Sequence, residues 1–119
     1  MKKIEKKPII SGNSIENISL ISRKLLSISI YKEFNILNID IKICDFYEKE
    51  IFILKFLNVL EYSFYYNSKY IFYNIENYKI AKTLDEKYYL SLDPDDSIDG
   101  ISENDQDFIL SEKLEFYIE

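Results

Sequence analysis

A chain of 119 residues with 47% hydrophobic and 30% charged residues has room for one domain, 1–119, and for a packed core of its own. It has no histidine, one cysteine and two glycines far apart, Gly12 and Gly100, which excludes imidazole-based nucleophilic triads, zinc sites, disulfide frameworks and glycine-rich phosphate loops. The net charge of −6 is uneven: residues 1–84 carry 13 basic and 9 acidic groups, residues 85–119 carry 2 and 12.

Residues 1–17 are polar and charged, broken by Pro8, Gly12 and Asn13, and read as a loose N-terminal leader or an edge strand around Ile9 and Ile10. The four lysines up to Lys7 are followed by no long apolar run, so no signal peptide is read there. From Leu25 to Tyr31 the pattern has period two. It is clearest where Leu37, Ile39, Ile41 and Ile43 alternate with Asn38, Asp40 and Lys42. Cys44 ends this run as an inert, half-buried thiol, and a free thiol without a disulfide points to a reducing, cytoplasmic setting.

After a polar break at residues 47–50, Ile51 to Leu57 is apolar on both faces, as in a strand covered on both sides. Lys55 and Asn58 interrupt it well short of the roughly 20 apolar residues that span a bilayer. Val59 to Tyr66, the turn Asn67-Ser68-Lys69 and Tyr70 to Tyr73 form a hairpin, with Tyr66, Tyr70 and Tyr73 exposed beside the turn. Residues 74–84 fit either a short helix, with Ile75, Tyr78, Lys79 and Lys82 at helical spacing, or a further strand. Tyr88 to Leu92 and Phe108 to Ile118 are strands, with Phe108 and Phe116 placed in the core. Six to eight such strands predict a mainly β fold: an antiparallel sandwich, a barrel or a strongly bent sheet.

The acidic third attracts cations and basic proteins and disfavours nucleic acid as a partner. Within it, Asp95, Ser97 and Asp99 precede Gly100 with the odd-position spacing of a calcium loop; Asp93 and Asp105 complete the candidate ligands. The match fails further on, where the twelfth position is Gln106 instead of a bidentate glutamate, and no metal or other cofactor is assigned. Carboxylates grouped in a surface loop lack the burial that raises a pKa for acid/base work, so no catalytic residues are assigned and the chain is read as a non-enzyme.

Tyr89-Leu90-Ser91-Leu92-Asp93-Pro94, then Ile101-Ser102-Glu103-Asn104-Asp105 and Phe108-Ile109, resemble small β-rich bacterial immunity proteins encoded beside polymorphic or contact-dependent growth inhibition toxins. The resemblance covers about 20 residues. It implies a cytoplasmic, non-catalytic antitoxin that occludes a cognate, basic toxin domain. The surface expected to do so comprises Asp93, Asp95, Asp96, Asp99, Glu103, Asp105 and Asp107, with Tyr88 and Tyr89 as aromatic anchors. The alternative from the residues is a small ligand-binding β-barrel or sandwich with a Tyr-rich interior. Oligomeric state is left open, since exposed Ile- and Tyr-rich edges also favour strand pairing between copies.

Overall fold

The structure, a computed structural model, describes residues 2–3, 10–11, 14–15, 20–45, 47, 49–65 and 75–118. Three two-residue strands come first: β1 (Lys2–Lys3), β2 (Ile10–Ser11) and β3 (Ser14–Ile15). The sheet proper follows, with β4 (Lys24–Glu33), β5 (Ile36–Cys44), β6 (Ile51–Ser63), β7 (Lys79–Lys82), β8 (Tyr88–Asp93) and β9 (Gln106–Ile118). All pairings are antiparallel, in the order β4-β5-β6-β9-β8-β7; β1 adds to the end of β9, and β2 and β3 pair with each other.

The period-two pattern predicts the middle of the sheet well, because alternate side chains leave opposite faces of a strand. Ile39, Ile41 and Ile43 of β5 are fully buried beside Phe52, Leu54 and Phe56 of β6 and Leu114 and Phe116 of β9. Leu90, Ile109 and Ile80 extend the same core toward β7. The β4–β5 turn is the two-residue loop Phe34-Asn35, both at positive φ (52° and 63°) between the paired Glu33 and Ile36, as hairpin twist requires.

Long strands of this kind bend where the ladder is interrupted. On β6, Asn58 takes φ 55° and the register slips between Val59 and Glu61. The amide freed by this bend is met by Asn38, which is buried; its Oδ1 accepts from Asn58 N at 3.0 Å. The bending brings the two ends of the sheet together. Ser22 N donates to Ile75 O at 2.8 Å and Ile75 N to Arg23 O at 2.9 Å, joining the approach to β4 to the approach to β7. The architecture is one bent antiparallel sheet of seven strands, short of a closed barrel, with the β2–β3 pair against β7.

One open choice is decided and three expectations are corrected. Of the two readings for residues 74–84, helix or strand, the strand forms: Lys79–Lys82 is β7, and the described residues 75–84 contain no helix. Tyr78 and Ile80 face the core and Lys79 between them is buried on the opposite side, as successive positions of a strand require; Ile75, ahead of the strand, joins the same core. Phe108 lies on the outer face, because its neighbour Ile109 takes the core position; Phe116 is in the core as expected. Ile53 is buried on the outer face of β6 while Lys55 and Leu57 are half-buried there, so cover on both sides is partial. Cys44, expected to be half-buried, is fully buried, because it closes the alternating run of β5 against β6. The turn at Asn67-Ser68-Lys69, the strand Tyr70 to Tyr73 and the exposure of Tyr66, Tyr70 and Tyr73 lie outside the described residues, as does most of the leader. No helix among the described residues is long and apolar enough to cross a membrane.

Candidate functional site

The connection from β8 to β9, residues 94–105, holds most of the acidic cluster, and its form is set by one lysine. On β7, Lys79 stands between the core residues Tyr78 and Ile80, so strand alternation turns its side chain to the outer face. The loop closes over it there, leaving the Lys79 side chain 3% exposed and that of Asp105 wholly buried. All three protons of the ammonium are engaged: Nζ donates to Asp105 Oδ1 at 2.9 Å, to Gly100 O at 2.7 Å and to Asp95 O at 3.2 Å.

Asp105 is as completely satisfied. Oδ1 also accepts from Asp95 N (2.8 Å), and Oδ2 accepts from Ser102 N (2.9 Å) and Tyr89 OH (2.7 Å). Burial by itself pushes this carboxyl up. The bonds from Ser102 N, the Lys79 ammonium, Tyr89 and Asp95 N overcome that and hold it at about 2. The Tyr89 phenol is driven the other way, well above 10, by burial and by the anionic Asp105 that it donates to. Its ring stacks on Phe108, with centroids 5.9 Å apart.

The carboxylates counted as calcium ligands do not converge on an open position. Asp95 Oδ1 is taken by Ser97 N and Oγ and its Oδ2 by Ser102 Oγ, which holds its pKa below the ordinary value. The cation in this loop is the protein's own ammonium. Among the described residues no group of three or more His, Cys, Asp or Glu is placed to hold a metal ion.

The nine residues expected at the contact surface therefore separate into three sets. Asp96, Asp99 and Glu103 are exposed. Asp93, Asp95 and Tyr88 are half-buried, Tyr88 against the core with the Lys82 ammonium 5.7 Å from its ring centroid. Asp105, Asp107 and Tyr89 are buried and do not project as contact side chains: Asp105 and Tyr89, with Lys79, form a latch that holds the loop, and Asp107 Oδ1 accepts from Tyr65 N at 2.8 Å. Sequence reasoning missed Lys79, whose one signal was its place between Tyr78 and Ile80. It also missed Ile98 and Ile101, two isoleucines 47% and 48% exposed among the acidic side chains.

Asp93 is the strained member of the cluster. Burial, then the charges of Asp107 and Asp96, raise its pKa. A raised folded pKa means that its charged form opposes folding, so Asp93→Asn is expected to stabilise the chain by about 0.5–1 kcal/mol at pH 7. The gain shrinks as the wild-type carboxyl protonates on acidification, and paired urea titrations at pH 7 and pH 4 measure both values.

Compared with known proteins, the chain matches no family model, and no curated protein and no solved structure matches it.

Proposed function

We propose that the chain is a non-enzymatic binding protein of the toxin-immunity class, which occludes a basic partner domain with the outer surface of the latched acidic loop. The observation that carries this reading is the pairing of a fixed backbone with an exposed, mixed surface. Asp96, Asp99 and Glu103 surround Ile98 and Ile101 on a loop already held by the Lys79–Asp105 pair. Ordering such a loop in advance lowers the entropy lost on association. Its carboxylates steer a basic domain, and its isoleucines supply apolar area that gains from desolvation.

Co-expression with the toxin product of the neighbouring reading frame tests the reading. The wild-type chain is expected to restore growth and to bind that domain with an affinity that falls as salt rises. Asp96→Lys combined with Asp99→Lys is expected to weaken binding about 10- to 100-fold and to abolish protection, with the melting temperature held within a few degrees. Absence of both protection and binding by the wild-type chain overturns the proposal.

A second reading, a carrier of a small apolar molecule, is favoured by an open groove of about 390 Å³ along β4, lined by Leu25, Leu26, Ile28, Ile30 and Phe64. It differs in requiring affinity that salt leaves unchanged.

A further inference from the structure

A second groove, of about 510 Å³, lies on the outer face between β9 and the acidic loop. Its floor follows from the strand register. Glu61 of β6 pairs with Leu110 of β9, which pairs with Tyr89 of β8; two residues along, Phe108 occupies the same face. One wall is Glu61, and the other is the loop at Ile101 and Glu103.

The charges here are unbalanced in a defined way. Asp105, at the base, is neutralised by Lys79. Glu61 and Glu103 are exposed, and neither side chain has a hydrogen bond or an ion pair among the described residues. No lysine or arginine is among the described residues lining the groove. An apolar, aromatic floor between two unopposed carboxylates complements a long cationic side chain: the aliphatic stem covers Leu110 and Ile101 while the charged head lies over Phe108 between the carboxylates.

We infer that this groove receives an arginine side chain of the protein partner. Guanidinium fits better than ammonium, because a planar cation stacks on the Phe108 ring and its five N–H donors reach carboxylates on separate walls, whereas a compact ammonium keeps its water. A divalent metal is a poor occupant, since the floor is hydrocarbon and supplies few of the six to eight oxygens that calcium takes. The inference rests on the binding reading above and names the partner group that one part of the surface recognises.

The test uses the intact isotope-labelled chain titrated with N-acetyl-arginine amide and followed by amide chemical shifts. Saturable shifts are expected at Glu61, Phe108, Leu110 and residues 101–103, with millimolar affinity. N-acetyl-lysine amide is expected to bind several-fold more weakly, and the citrulline analogue, equal in shape but uncharged, at least 10-fold more weakly. Glu61→Gln is expected to weaken arginine binding about 5- to 10-fold without moving the melting temperature, as Glu61 has no partner to lose. Equal binding of citrulline, shifts confined to Asp96–Asp99, or an unchanged affinity in Glu61→Gln each overturns the assignment. Toxin protection that still depends on Asp96 and Asp99 while arginine leaves the groove untouched removes this inference alone; arginine seated in the groove of a chain that protects against nothing removes the immunity reading alone.

Discussion

Replacing Lys79 by methionine is expected to lower the melting temperature by about 12–20 °C. Methionine keeps the volume and the apolar stem, so packing on the outer face beneath the acidic loop changes little. What it removes is the ammonium that faces Asp105 Oδ1, Gly100 O and Asp95 O. A buried carboxylate left without its cation costs about 3–5 kcal/mol, and for a domain of this size each kcal/mol is worth about 4 °C. Against a total stability of about 5–15 kcal/mol, one side chain decides much of the outcome. Lys79→Met together with Asp105→Leu is expected to recover part of the loss, since the uncompensated charge is gone. It cannot recover all of it, because Ser102 N, Asp95 N and Tyr89 OH still point at the position where their acceptor stood. A loss below about 1 kcal/mol in the single variant, read from urea unfolding, shows that the latch does not hold the loop.

The same substitution separates two roles of the acidic loop. Lys79 is buried and offers nothing to a partner, yet its removal releases the segment that carries Asp96, Ile98, Asp99 and Ile101. Partner affinity is therefore expected to fall in Lys79→Met even under conditions where the sheet remains folded, because the loop must then be ordered during binding. Reversing Asp96 and Asp99 acts on the proposed contact surface and leaves the latch in place.

What the sequence made legible was local, and what it concealed was distant. The alternation of Ile39, Ile41 and Ile43 with Asn38, Asp40 and Lys42 is a property of consecutive residues, and it gave β5 and its core face correctly. Asn38 is an informative exception. It reads as a solvent position, but it is buried because Asn58, 20 residues later, turns its amide toward it at a bend. Residues 75–84 mislead for a similar reason. Lys79 and Lys82 look like one polar stripe of a helix, whereas Lys79 is the buried partner of a carboxylate 26 residues away and Lys82 is half exposed on the other side of the strand. The acidic loop was visible as a cluster, but not which of its members would face inward. Asp, Ser, Pro and Gly at close spacing describe a turn whether or not a cation is enclosed, and the enclosed cation came from β7.

Acidification provides the second large effect. Asp105 is held at about 2 in the folded chain, against an ordinary value of 3.8. A folded pKa lower than the unfolded one means that the group stabilises the fold whenever pH exceeds the unfolded value, and that this contribution disappears as pH falls through the folded value. The contribution is about 2 kcal/mol, present in full above pH 5 and gone below about pH 2. Asp93 acts in the opposite sense, because its raised pKa relieves a cost on protonation, so the acid limb of the wild-type chain alone mixes the two. Asp105→Asn separates them. An amide presents one acceptor oxygen and an NH₂ group where the two carboxylate oxygens met four donors, so in either orientation its NH₂ abuts a backbone N–H, of Asp95 or of Ser102, that loses its acceptor. The variant is expected to lose about 3 kcal/mol at pH 7. The gap between wild type and variant is then expected to narrow by about 2 kcal/mol between pH 4.5 and pH 2, as the wild-type carboxylate protonates and gives up the same charge. Urea titrations of both proteins across that range measure the gap directly. Curves that stay parallel to pH 2 mean that Asp105 keeps an ordinary pKa, and then neither the buried pair nor the four bonds around it hold the acidic loop in place.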